Sequence, residues 1–424
     1  MEYYCKKKKK LIQTILAVLV LGTVSLRVVE CKLYSSVLDT LHYRLVMKTL
    51  NTKAFKAAID SLSKYASQGC VILASQDEAK WPLVPALPSY GRRRDGNGDG
   101  RFSSLIFGTN LTDIIIILSF WPDHGQYWWD KFHQGQSNVT RPYMIEIQYS
   151  NKTQISNLTL INSPSWFVHP TYSSDVLIHG LTILALIDSP NTDEIDPGLF
   201  ATFESLALLA IPLHESGWDQ YGIKFGMPTK HLIIRRLTCI SPDSATIALG
   251  SEMSGGIQDV RAEDITTINT QSGIRIKTAI GRGAYVKDIF VRRMTLTTMK
   301  WVFLMSGFYN QHLDTNFDPK AISEIKVINY RDIVATNVTG GARLEGIAQD
   351  HFTGICISNV TISLSKMPKE LQWNCTNIAG VMSNVTLEPC HLLPKKEKVD
   401  CAFPKDRLPI EDVHLKTCST TETA

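Results

Sequence analysis

Ile355-Cys-Ile-Ser-Asn-Val-Thr-Ile362 belongs to a series of short phrases whose recurrence decides the fold of this chain. Each phrase is rich in Val, Ile, Leu and Thr, and apolar residues alternate with polar ones, as they do in a strand with one buried face. The phrases recur about 20–40 residues apart, an interval typical of solenoids. Further members of the series begin at Ile155, Val176, Leu232, Val260, Val286 and Ile325.

Stacking of these phrases at the ~4.8 Å spacing of paired strands predicts an all-β fold, a parallel β-helix with Asn, Gly and Asp at its corners. A β-sandwich is the alternative, but the Asn-Gly and Asp-Gly dipeptides of tight hairpins are almost absent between the phrases. Residues 52–64 differ, because apolar side chains recur there at helical spacing. We expect an N-terminal helix that caps the open apolar end of the solenoid.

The first 31 residues have the features of a secretory signal peptide. Lysines at 6–10 precede an apolar run at 11–26, and Val29-Glu30-Cys31 supplies small residues at a spacing that a signal peptidase accepts. The run is shorter than the roughly 20 apolar residues of a membrane span, so an uncleaved anchor is the weaker alternative. We therefore predict a signal peptide at 1–31 and one β-helix domain at 32–424.

The charge balance excludes several function classes. The whole chain has 44 basic and 40 acidic residues, a net charge of +4. Loss of residues 1–31 removes six basic and two acidic residues and leaves a neutral chain. No global field would direct it to nucleic acid or to a membrane, so anion binding must depend on local charges.

Asparagines and cysteines agree with passage through an oxidising secretory route. We expect a disulfide between Cys375 and Cys390, because a short loop closes at small entropic cost. Cys239 and Cys356 lie within apolar strand patterns and are predicted to be buried thiols. Eight glycosylation sequons begin at Asn110, Asn138, Asn151, Asn157, Asn337, Asn359, Asn374 and Asn384.

Five motifs occur in the order shown by plant members of one enzyme family. The sequence resembles the polygalacturonase-type family 28 glycoside hydrolases from about residue 51 to residue 394, and best over 140–197 and 216–394. The resemblance implies a right-handed parallel β-helix, a secreted monomer of the cell wall without a cofactor, and pectin (homogalacturonan) as its partner. The motifs are Asn162-Ser-Pro-Ser-Trp166, Asn191-Thr-Asp193, Ser216-Gly-Trp-Asp-Gln-Tyr-Gly222, Gly250-Ser-Glu-Met-Ser-Gly-Gly256 and Gly273-Ile-Arg-Ile-Lys-Thr278.

The chemistry of that family assigns roles to four residues. Inverting hydrolysis of a galacturonide needs one carboxylic acid that protonates the leaving oxygen and a carboxylate that activates water. By resemblance, Asp193 is catalytic, and Arg275 and Lys277 bind the substrate carboxylate. Alternation along a strand also places Arg275 and Lys277 on one face with Ile276 turned inward, although a solvated strand face would show the same pattern. Tyr285 is a further candidate sugar contact, with plain packing as its alternative.

The Asp-Asp pair that the family carries after the Asn-Thr-Asp motif is missing. Counting back from Ser216 places Leu209 and Ala210 at its positions, whereas counting forward from Asn191 reaches His214 and Glu215. Glu215 is the one carboxylate that could substitute. A family histidine position falls at Ala245, and Glu194 replaces a family glycine, which adds a carboxylate beside the cleft.

Abrupt departures from the family pattern also occur at 33–49, 69–71 and 118–125. Block replacement of this kind favours shifted reading frames or altered splicing over gradual drift, with selection for a new role as the alternative. The sequence thus predicts a secreted galacturonan hydrolase with impaired catalysis, or else a non-catalytic pectin-binding protein.

Two possible metal motifs fail on their spacing. Asp95-Gly-Asn-Gly-Asp-Gly100 matches the first half of a calcium loop, but Ile106 stands where a bidentate glutamate is needed. His214-Glu215 begins a zinc-protease motif whose second histidine position holds Trp218. The sequence therefore predicts no metal site.

Overall fold

The structure is a computed structural model. It describes residues 77–88, 100–116, 125–137, 139–197, 226–250, 255–309, 318–348, 350–369, 371–387 and 390–416, and the backbone of five short strands outside these ranges. Those five are β1 (Val24–Leu26), β2 (Glu30–Leu33), β3 (Cys70–Leu73), β14 (Ala201–Glu204) and β15 (Ile211–Leu213).

The remaining strands are short in the N-terminal half and long in the C-terminal half. Within the described residues, helix α1 (Gly125–His133) and two 3₁₀ turns (Glu78–Lys80 and Pro409–Asp412) accompany them. The strands are β4 (Leu83–Pro85), β5 (Gly100–Phe102), β6 (Ile106–Thr109), β7 (Thr112–Ile116), β8 (Ile145–Gln148), β9 (Asn151–Ser156), β10 (Thr159–Ile161), β11 (Val168–Thr171), β12 (Ser174–His179), β13 (Thr182–Leu184), β16 (Thr229–Arg235), β17 (Thr238–Ile240), β18 (Ala245–Leu249), β19 (Ile257–Lys277), β20 (Tyr285–Ser306), β21 (Glu324–Glu345), β22 (Phe352–Leu364), β23 (Trp373–Thr376) and β24 (Ile378–Val385).

Parallel pairing between successive turns of the chain builds a right-handed parallel β-helix, as predicted. The main sheet runs in the order β7-β9-β12-β14-β16-β19-β20-β21-β22-β24. The long strands β19, β20 and β21 continue round the corners, so β18 and β23 pair with their later parts. The predicted alternative, a β-sandwich, is excluded because the strands of this sheet pair in parallel.

The core is a set of apolar columns inside the solenoid. Val260, Ile289, Ile328 and Ile355 lie in register on four consecutive strands, and each is at most 1% exposed. Burial of apolar surface contributes about 0.8 kcal/mol per methylene group, so every rung is stabilised by its neighbours above and below.

Left-handed residues form the corners. Asp264, Arg293, Asp332, Asn359 and Asn384 share one column, and all have φ between 49° and 59°. Asn and Asp tolerate this conformation better than most residues. Asn384 Nδ2 donates to Asn359 Oδ1 at 3.0 Å, and Asn359 Nδ2 donates to Asp332 Oδ1 at 2.6 Å. The predicted corner residues are confirmed at this column.

The C-terminal segment 390–416 crosses the outer face of the main sheet. Arg331 Nη1 donates to Asp400 at 2.8 Å, and Arg261 Nη2 lies 3.2 Å from Asp406. Further along, the Lys416 backbone N–H donates to Gln154 Oε1 on β9 at 2.8 Å. The segment therefore ties late rungs of the solenoid to early ones.

Two of the three cysteine predictions hold. The Cys375–Cys390 disulfide is present, and Cys239 is a buried free thiol. The prediction for Cys356 is wrong, because Cys356 forms a disulfide with Cys401. Ile355 and Ile357 point into the core, so alternation turns Cys356 to the outer face, where the C-terminal segment lies.

Several predictions concern residues outside the described ones. These are the helix at 52–64, residues 1–23 of the signal peptide, the Asp-rich loop at 95–99, and Leu209, Ala210, His214 and Glu215. Within the described ranges, no helix combines the length and apolar character of a membrane span. In the same ranges, His, Cys, Asp and Glu form no group of three that could hold a metal ion.

Candidate functional site

A strand face on β19 carries the predicted basic pair. Ile276 is buried and pairs with Leu249 and Met305, which are core residues. Arg275 and Lys277 flank it and point to the opposite side of the strand. In the next rungs, Leu304 and then Arg343 continue the column of Arg275. The predicted geometry of the basic pair is therefore present.

The Arg275 guanidinium is held by polar side chains of its own strand. Nε donates to Ser272 Oγ at 3.1 Å, and Nη2 donates to Gln271 Oε1. Burial lowers the pKa of Arg275, and the nearby Tyr309 phenol acts in the opposite direction. Arginine remains charged at physiological pH in spite of such a shift, so this position offers an oriented cation.

Tyr309 connects the basic groups of this region, and sequence reasoning missed it. The Lys277 ammonium lies 5.2 Å from the centre of the Tyr309 ring, and the Arg282 guanidinium carbon lies 5.5 Å from it. Arg282 Nη2 also donates to the Tyr309 backbone oxygen at 2.7 Å. The antiparallel bridge between Ala279 and Phe308 brings Tyr309 beside β19, which no local sequence pattern indicates.

Tyr285, the fourth predicted site residue, begins β20. Its ring packs against Gly256, where a Cβ atom would lie only 2.7 Å from ring carbons. Gly256 has φ of +101°, which favours glycine for a second reason. On its other side, the Lys287 ammonium lies 4.3 Å from the ring centre. These contacts agree with packing, the alternative for Tyr285.

Asp193 lies on the turn that precedes an isolated bridge between Ile195 and Val168. Its backbone oxygen accepts a hydrogen bond from the Phe167 N–H at 2.8 Å, and the Glu194 oxygen accepts one from Val168 at 2.9 Å. These bonds fix the turn on the rung below it. The Asp193 side chain lines a cavity of about 420 Å³ between residues 184–194 and 240–244.

Glu194 enters the same cavity but is 3% exposed. Burial raises its pKa well above the usual carboxyl range, and the neighbouring Asp193 charge raises it further. Among the described residues, Oε2 of Glu194 has no hydrogen-bond partner. The additional carboxyl group expected at this position is therefore present but buried, and burial favours its protonated form.

Arg275 and Lys277 lie together on β19, whereas Asp193 lines a separate cavity. Neither Arg275, Lys277 nor Tyr285 lines that cavity. Pro212 of β15 pairs with Ala248 of β18, which in turn pairs with Arg275, so β15 lies two rungs before the basic pair. Ala245, at the family histidine position, is fully buried in β18.

A buried polar cluster lies on β8 and β11 and was also missed. Glu146 accepts hydrogen bonds from Arg101 at 2.7 Å, Ser104 at 2.8 Å and Gln148 at 2.9 Å, and His169 Nδ1 lies 3.3 Å from it. Burial alone would raise the pKa of Glu146, but Arg101 and His169 lower it to about 2. Glu146 therefore holds a buried negative charge that its partners neutralise.

Comparison with known proteins identifies the class of protein that this fold and these motifs define. The profile of glycosyl hydrolases family 28 matches residues 121–386. A "Probable polygalacturonase" of Vitis vinifera is 50% identical over 471 aligned positions, which cover 99% of this chain and 95% of that protein. A "Polygalacturonase" of Chamaecyparis obtusa is 27% identical, over 69% of this chain and 54% of that protein. The chain belongs to glycosyl hydrolases family 28, with plant polygalacturonases among its relatives, and its class is that of the glycosidases.

The fold has a solved counterpart. A hyperthermoactive exopolygalacturonase from Thermotoga maritima superposes with a TM-score of 0.61 at 20% identity, over 81% of this chain and 88% of that one. At this identity the likeness concerns the fold alone. The Vitis alignment also extends over 471 positions, against 424 residues here. At least 47 aligned positions of the Vitis protein thus have no counterpart in this chain.

Proposed function

We propose that this chain is a secreted, wall-directed protein of the polygalacturonase type that acts on α-linked galacturonan with impaired turnover. Arg275 and Lys277 bind a galacturonate carboxylate, and Asp193 is the remaining catalytic carboxylate. The observation that carries this proposal is the arrangement on β19, where Ile276 is buried and the two cations flank it on the opposite side of the strand. Family membership supplies the substrate class.

Charge-assisted hydrogen bonds explain recognition of the acid sugar. A guanidinium and an ammonium on one strand face can each donate to a carboxylate, and such bonds are roughly twice as strong as neutral ones. Ser272 and Gln271 orient the Arg275 head group before a ligand binds. Methyl esterification of the sugar removes the charge that this pair recognises, so we expect it to bind de-esterified units.

Impairment follows from the chemistry of inversion. One carboxyl group must protonate the leaving oxygen while a second activates water. Asp193 supplies one, but Leu209 and Ala210 stand at the positions of the family pair. Loss of general acid–base catalysis costs roughly 10²–10⁴ in rate. Reducing-end release from polygalacturonate should therefore be slow or absent, and a rate within about tenfold of an intact relative would contradict the proposal.

Binding is tested with a double variant, Arg275→Gln with Lys277→Gln, and a matched control, Lys396→Gln with Lys398→Gln. The control removes two exposed lysines of the C-terminal segment. Affinity for polygalacturonate at low ionic strength should be lost in the first variant and kept in the second. If the first variant keeps its affinity, the basic pair does not bind the substrate.

A non-catalytic pectin-binding protein is the second candidate, favoured by the missing aspartate pair. Binding without any release of reducing ends distinguishes it from a slow enzyme. Translation of the coding DNA around residues 198–215 in all three frames adds an independent test. A Gly-Asp-Asp sequence in another frame would indicate that the loss arose from a frame shift.

Secretion rests on the predicted signal peptide and on the sequons. Asn110, Asn157, Asn359 and Asn384 are exposed. A glycan on Asn359 or Asn384 would replace the hydrogen bond that its Nδ2 donates within the corner column. Mass spectrometry of the protein purified from its source should find Lys32 at the N-terminus and glycan at one or more of these residues. A protein that keeps residues 1–31 and carries no glycan would contradict secretion. The monomeric state is part of the same proposal and is tested by light scattering.

A further inference from the structure

A glycosylation sequon, Asn374-Cys375-Thr376, lies on β23, in register with the basic pair on β19. We propose that Asn374 is a modification site whose N-linked glycan closes one end of the binding face, which is the outward side of β19 at Arg275 and Lys277 and of the strands in register with it. The inference rests on the proposed function, because it needs both secretion and binding of galacturonate at the basic pair. It adds a limit on the length of polymer that this face can hold.

Two columns of residues connect the sequon to the basic pair. The members of each column follow one another on β19, β20, β21 and β23, and they are Arg275, Leu304, Arg343 and Asn374 in the first and Lys277, Ser306, Glu345 and Thr376 in the second. At the ~4.8 Å spacing of paired strands, three rungs separate the backbone of Asn374 from that of Arg275 by about 14 Å. Both polar residues of the sequon therefore belong to the columns that the basic pair begins.

Strand alternation turns the sequon outward. Cys375 lies in the column of the core residue Ile276, between Asn374 and Thr376. Its two neighbours then point to the opposite side of the strand, which is the side of the basic pair. Asn374 is partly exposed and Thr376 is exposed. Asn374 Nδ2 donates to Glu345 Oε1 at 3.0 Å, which holds the amide over the binding face.

Transfer of a glycan to such an amide is the ordinary reaction of a sequon in the secretory route. The Asn374 amide nitrogen forms a bond to the anomeric carbon of an oligosaccharide carried on a lipid diphosphate, and the bond from that carbon to the diphosphate oxygen breaks. One amide proton leaves, so no oxidant or reductant is needed, and Nδ2 keeps its second hydrogen. A bulky, hydrated group is then fixed to the outward side of β23.

Aromatic side chains flank the binding face and set the direction of a bound polymer. On one side, the Tyr309 ring centre lies 5.2 Å from the Lys277 ammonium. On the other side, Trp301 pairs with Ser272, and the Lys369 ammonium lies 5.0 Å from the centre of its ring. An extended polyanion between these flanks fits lengthwise from rung to rung, towards β23.

A glycan at Asn374 would meet a polymer bound in this direction. Arg343, one rung before Asn374, is the next cation along the first column, and Glu345 lies 2.8 Å from its guanidinium. A glycan over this rung hides Arg343 from further galacturonate units. Additional polymer length on this side of the basic pair should then add little affinity.

Two measurements on the full chain from a secreting eukaryotic host test the proposal. Glycopeptide mass spectrometry should find glycan on Asn374. Calorimetric titration then compares the parent protein with Thr376→Ala, which destroys the sequon and leaves Asn374 in place. Both proteins should bind trigalacturonate equally. Thr376→Ala should bind dodecagalacturonate about tenfold more tightly than the parent does, because the longer chain gains a charge-assisted contact with Arg343.

Three further variants separate the glycan from the side chains. Thr376→Ser keeps the sequon and should behave as the parent does. Asn374→Gln removes the glycan by a different exchange and should reproduce the gain of Thr376→Ala. Thr361→Ala, at an exposed position, removes the sequon of Asn359 on the corner column and should bind both oligomers as the parent does.

The outcomes distinguish this inference from the proposed function. A secreted protein without glycan on Asn374 overturns the modification site and leaves the proposed function standing. Glycan on Asn374 with equal or weaker binding of dodecagalacturonate by Thr376→Ala overturns the closed end. A gain in Thr361→Ala as large as in Thr376→Ala overturns it as well, because loss of any glycan is then sufficient. Failure of trigalacturonate to bind a cooperatively folded parent overturns the proposed function and the inference with it.

Discussion

Arg282 donates a 2.7 Å hydrogen bond to the backbone oxygen of Tyr309 while its guanidinium lies 5.5 Å from the centre of the Tyr309 ring. Arg282 is fully buried, and Lys277 contacts the same ring. A tyrosine fixed by one arginine thus positions the ammonium that is proposed to bind substrate. Arg282 is a positioning residue in this arrangement.

Arg282→Lys should therefore weaken binding of polygalacturonate through Lys277. Lysine cannot reproduce the planar guanidinium that faces both the ring and the carbonyl. A hydrogen bond to a charged group contributes about 1.5–3 kcal/mol, and we expect a loss of this size in the free energy of unfolding. Affinity should fall severalfold, and the salt dependence of binding should change. Unfolding in urea and titration with oligogalacturonate measure the two effects.

Arg236→Lys, at an exposed corner, is the control for that variant. It makes the same exchange of side chains away from Tyr309 and should leave the affinity for oligogalacturonate unchanged. If Arg282→Lys lowers stability but leaves the affinity and its salt dependence intact, Arg282 supports the fold alone.

Glu146 should make the fold sensitive to strong acid. Its folded-state pKa of about 2 lies below the value of an unfolded glutamate, 4.5. The stabilisation that this shift provides is fully present above pH 4.5 and is lost as pH falls toward 2. The shift corresponds to about 3 kcal/mol by linkage. Urea unfolding between pH 2 and pH 6 should show this loss.

Glu146→Gln removes the contribution of Glu146 to the pH dependence and leaves Arg101 buried without its charge partner. Such removal typically costs about 3–5 kcal/mol, so the variant should be much less stable at pH 6 and should lose less further stability in acid than the parent protein does. Glu397→Gln, on the exposed C-terminal segment, serves as the control. A parallel decline of Glu146→Gln and the parent protein with acid would exclude Glu146 as the cause.

Strand alternation explains most of what the sequence predicted correctly. Polar and apolar residues alternate through Arg275, Ile276 and Lys277, and the same period placed the core columns of β19, β20 and β21. A two-residue period is a local property, so the sequence of one strand is enough to predict which of its side chains point into the core. The repeat interval then fixed the stacking, and with it the fold.

The failures share a physical cause, which is contact between distant parts of the chain. Alternation at Ile355-Cys356-Ile357 already turns the thiol outward, but its partner Cys401 belongs to a segment whose path no local pattern encodes. The raised pKa of Glu194 depends on burial between two distant loops, which its own sequence position does not indicate. Tyr309 reaches β19 through a bridge between distant turns for the same reason.

The Cys356–Cys401 disulfide should anchor the C-terminal segment to the solenoid. Cys401→Ser should lower the free energy of unfolding by about 2–4 kcal/mol, because the bond closes a long loop. It should also loosen the contacts of Asp406 with Arg261 and of Glu411 with Arg235 further along the segment. Limited proteolysis should then cut within residues 402–416 first.

Cys390→Ser is the matched control, because the Cys375–Cys390 bond closes a loop with a sequence separation of 15 instead of 45. It should cost less stability and leave residues 402–416 protected from protease. Equal protection of the segment in both variants would show that its ion pairs hold it without the disulfide.

Asp193→Asn separates binding from catalysis at the remaining catalytic carboxylate. The Asp193 charge raises the pKa of the buried Glu194 carboxyl, so the exchange should lower that pKa toward the ordinary range. It also removes a negative charge from the proposed cleft. Polygalacturonate should therefore bind as well as before or slightly more tightly, with the largest gain at low ionic strength. Any residual release of reducing ends should fall by about 10²-fold or more.

Calorimetric titration measures the affinity and a reducing-end assay on the same preparation measures the turnover. Asp175→Asn, at an exposed residue of β12, is the control. Weaker binding of Asp193→Asn would place Asp193 among the groups that hold the substrate, and unchanged residual turnover would exclude it from catalysis.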